Sequence, residues 1–368
     1  MNIIVRETKV ICANPDNPYH GYFAWPSVAR LHDGKLAMVA SGFRMRHICP
    51  FGKVVMCLSE DEGKTWGRPT VVLDTPLDDR DAGILPFGEN SVLITSFNNT
   101  VAQQKIWNMT TDPETGEKRP KNPYIDAYLN RVNAEKAEER YLGSTFVISR
   151  DNGKTFGPVM RIPVTAPHGP TGMNDGTMLY VGRTFSDNDK VKPEDGVYAY
   201  ILYPDGAYEK RGGIPNIRAD LLSCEPHAVV LPDGKIIVHI RVQPVKGGGV
   251  FTLYQSESMD GGFTFTAPHP LMEKTGGAPA HLLRLKNGVL ISVYGYRNEP
   301  YGIRMMYSTD DGMSWCIGHD LYINGVSPDL GYPASVELDN GDILTVFYAK
   351  EKEPGPAVIM QTIWRLEK

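Results

Sequence analysis

The 368 residues carry a formal net charge of -5, with 41% hydrophobic and 22% charged residues. That balance describes a soluble globular protein with a sizeable core, and it excludes the basic footprint that nucleic acid or an anionic membrane demands. No apolar run approaches a membrane span, and the opening MNIIVRETKV lacks the basic and long apolar segments of a secretory leader, so a cytoplasmic location is expected.

In chain order, the first element is an extended stretch, NIIVRETKVI, with no hairpin partner of its own. It is expected to be the outer strand that closes the last unit of a ring. Next comes FAWPSVARLHDGKLAMVASGFR from Phe23, a strand, an Asp-Gly turn and a second strand. The same pattern returns as RDAGILPFGENSVLITSF from Arg80, HGPTGMNDGTMLYVGR from His168 and CEPHAVVLPDGKIIVHIR from Cys224. It ends with GAPAHLLRLKNGVLISVYGYR from Gly277 and GYPASVELDNGDILTVFY from Gly331. Between these hairpins stand four copies of a second pattern: SEDEGKTW at Ser59, SRDNGKTF at Ser149, SMDGGFTF at Ser258 and STDDGMSW at Ser308. Each follows a short apolar stretch and precedes another extended one. Asp can bond the N–H groups of its own turn, Gly supplies positive φ, and the aromatic packs back, so each copy reads as a hairpin clasp. Two units lack it, with YPDGAYEK at Tyr203 as one degenerate replacement. Six hairpins and four clasps predict an all-β, six-bladed β-propeller, one domain over residues 1–368.

One stretch, residues 98–143, breaks the pattern as an insertion in the second blade. Its second half, NPYIDAYLNRVNAEKAEERYLG, is helical by its spacing of Ile125, Tyr128, Leu129 and Val132, with Pro123 near the start and Gly143 after the end. It is expected to pack on the propeller surface, with a lid or a homo-oligomer contact as the sharper alternatives. The five cysteines are scattered without a CxxC pair and read as free thiols. Neither a metal ligand set nor a phosphate-binding Gly-rich loop is present, so no metal or cofactor is expected.

The clasps resemble the Asp-boxes of the sialidase superfamily, and the six hairpins match its six-bladed propeller over nearly the whole chain apart from the insertion. The resemblance implies a glycoside hydrolase and a carbohydrate substrate. The first residues of the inner strands ring a central funnel, and aligned on their turns the copies offer Ala24-Trp25, Arg80-Asp81, His168, Glu225, Ala278 and Tyr332. Sialidases use a tyrosine nucleophile; the resemblance implies Tyr332 in that role, Glu225 as its base and Arg241 as one of the arginines that hold the substrate carboxylate. A neutral phenol is a poor nucleophile, so a carboxylate must take its proton as it attacks.

This chain departs from the family pattern at three places. Ala24 stands where an arginine is usual, GGAPAH in the fifth blade brings no arginine, and the loop MRHICPFG after Arg44 has no aspartate to act as acid. The expected substitutes are Asp81 or His168 as proton donor and His227 beside them. Arg80, Arg44, Arg297, Arg46, His47 and Arg304 are further anion-binding groups, and Trp25 is either a sugar platform or core. The expected activity is therefore an exo-acting hydrolase of an acidic or deoxy sugar. The alternatives are a carbohydrate-binding propeller without turnover, or a polysaccharide lyase acting on uronates.

Overall fold

The computed structural model describes residues 1–184, 195–246, 251–272 and 279–367. Among them, six antiparallel sheets stand in sequence around a central axis. Blade 1 runs Tyr22–Arg30, Leu36–Arg44, Lys53–Ser59 and Thr70–Leu73 from the axis outward. Blade 2 follows with Arg80–Phe87, Ser91–Phe97, Ser144–Ser149 and Met160–Ile162. Blade 4 begins on the axis with Leu221–Val230 and Ile236–Pro244, and blade 5 with Ala280–Arg284 and Leu290–Tyr296. Blade 3 is the irregular one, its inner strand broken into Val164–Thr165 and Thr171–Gly172, both paired with Met178–Thr184.

Ring closure depends on both ends of the chain. Blade 6 takes Gly331–Glu337, Ile343–Lys350 and Ala357–Glu367 from the C-terminal part, and its outer strand is Asn2–Cys12. The two last-named strands pair antiparallel from Asn2 opposite Glu367 to Cys12 opposite Ile359. The N-terminal stretch is thus the outer strand of the last blade, as expected, and because the third and fourth strands of blade 6 come from opposite ends of the sequence, no turn and no clasp joins them. In blade 3 the turn is YPDG, between Val197–Leu202 and Tyr208–Gly213.

Apolar clusters fill the seams between successive blades, such as Val39, Val54, Ile84 and Ile94 between blades 1 and 2, and Trp25, Val28, Ala334 and Leu344 between blades 6 and 1. The clasps add polar ties at the same seams, on the face opposite the starts of the inner strands. In the first, Asp61 accepts from Thr65 N at 2.8 Å and Thr65 Oγ1 at 2.6 Å, while Ser59 Oγ accepts from Gly63 N at 2.9 Å. These bonds, those from the Thr65 side chain first, pull the Asp61 carboxyl down to about 2. The turn needs Gly63 at φ 79°, where a Cβ would meet Leu344 Cδ1 of the neighbouring blade at 2.2 Å. Rather than packing only on its own strands, Trp66 donates to Gln361 Oε1 of blade 6 at 2.8 Å, and Trp315 donates likewise to Gln255 of blade 4 at 2.7 Å.

The insertion contains three short helices, α1 (Val101–Asn108), α2 (Pro123–Arg131) and α3 (Ala134–Tyr141). The expected single helix is therefore two, because Asn133 caps α3 by accepting from Lys136 N. The first helix was not expected; with Lys105 its only charged residue, its spacing carries little signal. Ile125, Leu129, Ala137 and Val101 pack with Cys49, on the loop between the second and third strands of blade 1, and with Leu77, on the loop leading into the inner strand of blade 2. The insertion braces those loops.

Deleting residues 2–12 strips the outer strand from blade 6 and bares a long sheet edge. Thermal unfolding should then fall by on the order of 5 °C or more, read by circular dichroism; an unchanged midpoint would remove the ring-closing role of this pairing.

Candidate active site

Four inner strands open with the same device. Trp25, Asp81, Glu225 and Tyr332 have φ of 54°, 47°, 48° and 51°, in the left-handed region that side chains with a Cβ seldom adopt. Each starts a two-against-one bulge: the ladder slips between Ala24 and Ser27, Arg80 and Gly83, Cys224 and His227, and Gly331 and Ala334. Pro26, Pro226 and Pro333 fill the second bulge position in three of them, where a missing N–H leaves nothing unpaired. A left-handed non-glycine residue costs on the order of 1–3 kcal/mol. Four such costs at one end of one channel mark the place where side chains are being aimed rather than packed.

Three of the expected residues meet there. Tyr332 Oη donates to Glu225 Oε1 at 2.7 Å, and Arg241 Nη1 donates to Glu225 Oε2 at 2.5 Å and to Tyr332 Oη at 3.2 Å. Burial, then the charge of Glu225, holds the Tyr332 phenol well above its ordinary pKa, with Arg241 opposing. The phenol is therefore neutral, and Glu225 is the one group in contact that can take its proton. Arg297 flanks the same ring with its Cζ 5.9 Å from the centroid, fixed by Nε to Leu330 O at 3.0 Å and Nη2 to Tyr348 Oη at 3.2 Å. Arg80 lies with its Cζ 4.5 Å over Trp25. Asp81 Oδ1 and the Nε atoms of Arg80 and Arg241 are buried with no hydrogen-bond partner among the described residues. Unmet groups of both polarities in one hollow suit a polar ligand. Burial, with the charge of Glu225 adding to it against Arg80, pushes the Asp81 carboxyl up to about 7.

Other expected residues lie elsewhere. Arg44 does not reach the funnel: it is fully buried, bound to Asp78 at 2.6 Å, Ser41 at 2.8 Å and the His47 carbonyl at 2.7 Å. Its fork is spent on the loop behind Trp25. Trp25 is 1% exposed and enclosed by Arg44, Arg80, His47, Tyr332 and Tyr348, so it is the wall of the site and no open platform. His168 was aligned one layer too high. Thr165 pairs with Arg183 as Cys224 pairs with Arg241, which gives Ala166 the mouth position of blade 3. His168 instead sits deeper in the channel, against Ser27 at 3.1 Å and beside His227 and His281, with ring centroids at 5.6 and 5.2 Å. His227 accepts from Leu282 N at 3.0 Å. Burial, with the neighbouring imidazoles, drives both His168 and His227 well below the ordinary histidine pKa, so both are neutral near pH 7, and their rings are engaged with Ser27 and Leu282 N below the mouth. Arg46 and Arg304 are held by Asn108 and Asp320. Ala278 lies outside the described residues. Among the described residues, no three His, Cys, Asp or Glu side chains are set to hold a metal ion.

The sequence reading missed a second polar group at the mouth. Asp329 accepts from Tyr22 Oη at 3.0 Å, lies 3.1 Å from His47 Nδ1, and has Lys350 Nζ at 3.7 Å. The only local sign was an acid three residues before Tyr332 in SPDLGY.

The fold is a six-bladed propeller with its polar groups gathered at one mouth of the channel. The family model described as BNR repeat-like domain matches residues 128–345, and the chain belongs to that family. No curated protein matches it. Among solved structures it is similar to a protein of unknown function from Dyadobacter fermentans, at 21% identity over 99% of both chains with a TM-score of 0.74. It is also similar to the intramolecular trans-sialidase from Ruminococcus gnavus in complex with oseltamivir carboxylate, at 13% identity over 97% of both chains with a TM-score of 0.64. The leech intramolecular trans-sialidase with 2,7-anhydro-Neu5Ac gives 12% identity and a TM-score of 0.65, over 98% of this chain and 70% of that one. At such identities the likeness is one of fold.

Two outcomes follow from the geometry. Asp78→Ala leaves Arg44 charged and unpaired in the interior, and should cost about 3–5 kcal/mol of stability, read by urea unfolding. Asp81 is neutral below about 7 and charged above it. Affinity for an acidic monosaccharide should thus fall as pH rises through that value, and Asp81→Asn should flatten the titration in calorimetry.

Proposed function

We propose that the protein is an exo-acting glycoside hydrolase of the sialidase type that removes a terminal acidic sugar with retention of configuration. The observation that carries this reading is the 2.7 Å contact from Tyr332 Oη to Glu225 Oε1, bridged by Arg241. Tyr332 attacks the anomeric carbon while Glu225 takes its proton, giving a glycosyl-tyrosine that water then hydrolyses. Arg241, Arg297 and Arg80 offer guanidinium groups to a sugar carboxylate, a planar match that an ammonium lacks. Asp81, neutral near pH 7, gives a proton or hydrogen bond to an oxygen of the bound sugar from the funnel floor. With no arginine at Ala24, Arg241 keeps its place in the family pattern while Arg80 and Arg297 supply the rest of the anion site, which supports specificity beyond sialic acid.

The test is a panel of terminally acidic and neutral aryl glycosides, followed by proton NMR of the first-formed product. Retained configuration with an acidic sugar is expected, and Tyr332→Phe should lower turnover by roughly 10³-fold or more. Unsaturated ends would make the protein a lyase, and binding without turnover would make it a carbohydrate-binding propeller. Undiminished hydrolysis by Tyr332→Phe would remove the nucleophile assignment.

A further inference from the structure

An exo-acting enzyme keeps the terminal sugar in the funnel and the rest of the glycan outside, so the oxygen that leaves faces the mouth. Unless the leaving group is a weakly basic phenol, that oxygen needs a proton as its bond to carbon breaks. Glu225 has one oxygen on Tyr332 and the other on Arg241. Asp81 is 5% exposed on the floor. His47 differs from both. Its side chain is 45% exposed, and its Nδ1 is 3.1 Å from Asp329 Oδ1. With Asp329 ionised, Nδ1 carries a proton toward that carboxylate, and Nε2 faces away from it to serve as acid or base. Burial, with the charges of Arg80 and Arg44, lowers the imidazole's pKa against the pull of Asp329, so the doubly protonated ring that acts as acid is loaded on the acidic side of neutrality. The ring is held on every side that matters. Its edge meets Trp25 at 5.0 Å, Tyr22 Oη is 2.9 Å from Nδ1, and its own carbonyl accepts from the buried Arg44 at 2.7 Å. Trp25 in turn lies edge-on to Tyr332 at 6.4 Å, so the imidazole and the phenol share one wall.

We propose that His47, positioned by Asp329, is the proton donor to the leaving oxygen, an inference that rests on the reading of Tyr332 as nucleophile. In the first step the glycosidic carbon–oxygen bond breaks as the bond from Tyr332 oxygen to the anomeric carbon forms. The proton of Tyr332 goes to Glu225, and the His47 imidazolium gives its Nε2 proton to the departing alcohol, keeping its Nδ1 proton toward Asp329. In the second step neutral His47 takes a proton from water, whose oxygen attacks the anomeric carbon. Tyr332 leaves and recovers its proton from Glu225, which restores every group.

The experiment compares methyl and 4-nitrophenyl α-glycosides of N-acetylneuraminic acid and glucuronic acid as substrates for the full chain. A nitrophenolate leaves without help, whereas methanol does not. His47→Ala should therefore lose about 10²–10⁴-fold in kcat/KM on the methyl glycoside, and less than about tenfold on its nitrophenyl partner. Asp329→Asn should show the same split to a smaller degree. His47→Gln serves if the alanine variant fails to fold. Equal losses on both leaving groups, or a split that appears in Asp81→Asn instead, would overturn the assignment while leaving Tyr332 intact. A wild-type protein inactive on all four glycosides would sink the hydrolase reading and this one together.

Discussion

The pairing of the first strand with the last is the constraint on which everything else rests. A sheet of four strands has two free edges and one buried face too many to stand alone, so the blades are stable only as a closed set. Each sheet runs from its inner strand outward, so the inner strands start at the same mouth, and the zip of Asn2–Cys12 to Ala357–Glu367 holds them there as one ring. Residues as distant in sequence as Trp25 and Tyr332 are then neighbours by geometry rather than by any local attraction.

Closure alone would give a channel lined by strand side chains in alternation. The bulges change that. By inserting an extra residue in the left-handed region, four blades rotate a large side chain from the seam toward the axis. The cost is spread over four sheets whose seams are densely packed, and no one bulge has to carry it. The same principle of support from behind governs the mouth. Arg44 and Asp78 are buried out of a ligand's reach, yet together with the insertion they fix the loop that carries His47. Gln104 of α1 donates to Asp78 at 3.2 Å and Arg46 donates to Asn108 at 2.6 Å, so the inserted helices and the first blade share one polar core.

How much of this was legible in the sequence follows from the range of each interaction. The hairpins and clasps are local: an Asp, a Gly and an aromatic within eight residues are enough to specify the turn, and the propeller could be counted from them. Tyr332, Glu225 and Arg241 were legible because equivalent strands place them at equivalent heights. Height is also where the reading failed. His168 follows a broken strand in blade 3, so counting from its turn set it two residues too near the mouth. Burial was illegible too, since nothing adjacent to Arg44 announces that Asp78 will consume it. The His47–Asp329 contact spans nearly the whole chain and exists only because the ring closes.

The clasps and the polar mouth occupy opposite faces, which has a practical corollary. Because Asn2 stands across from Glu367, a few linking residues would make the backbone continuous there, and new ends could be opened in the outer turn of another blade. Such a permuted chain would keep its mouth intact while offering an anchoring point on the far side, so that the molecule can be tethered to a support with its funnel facing the solution.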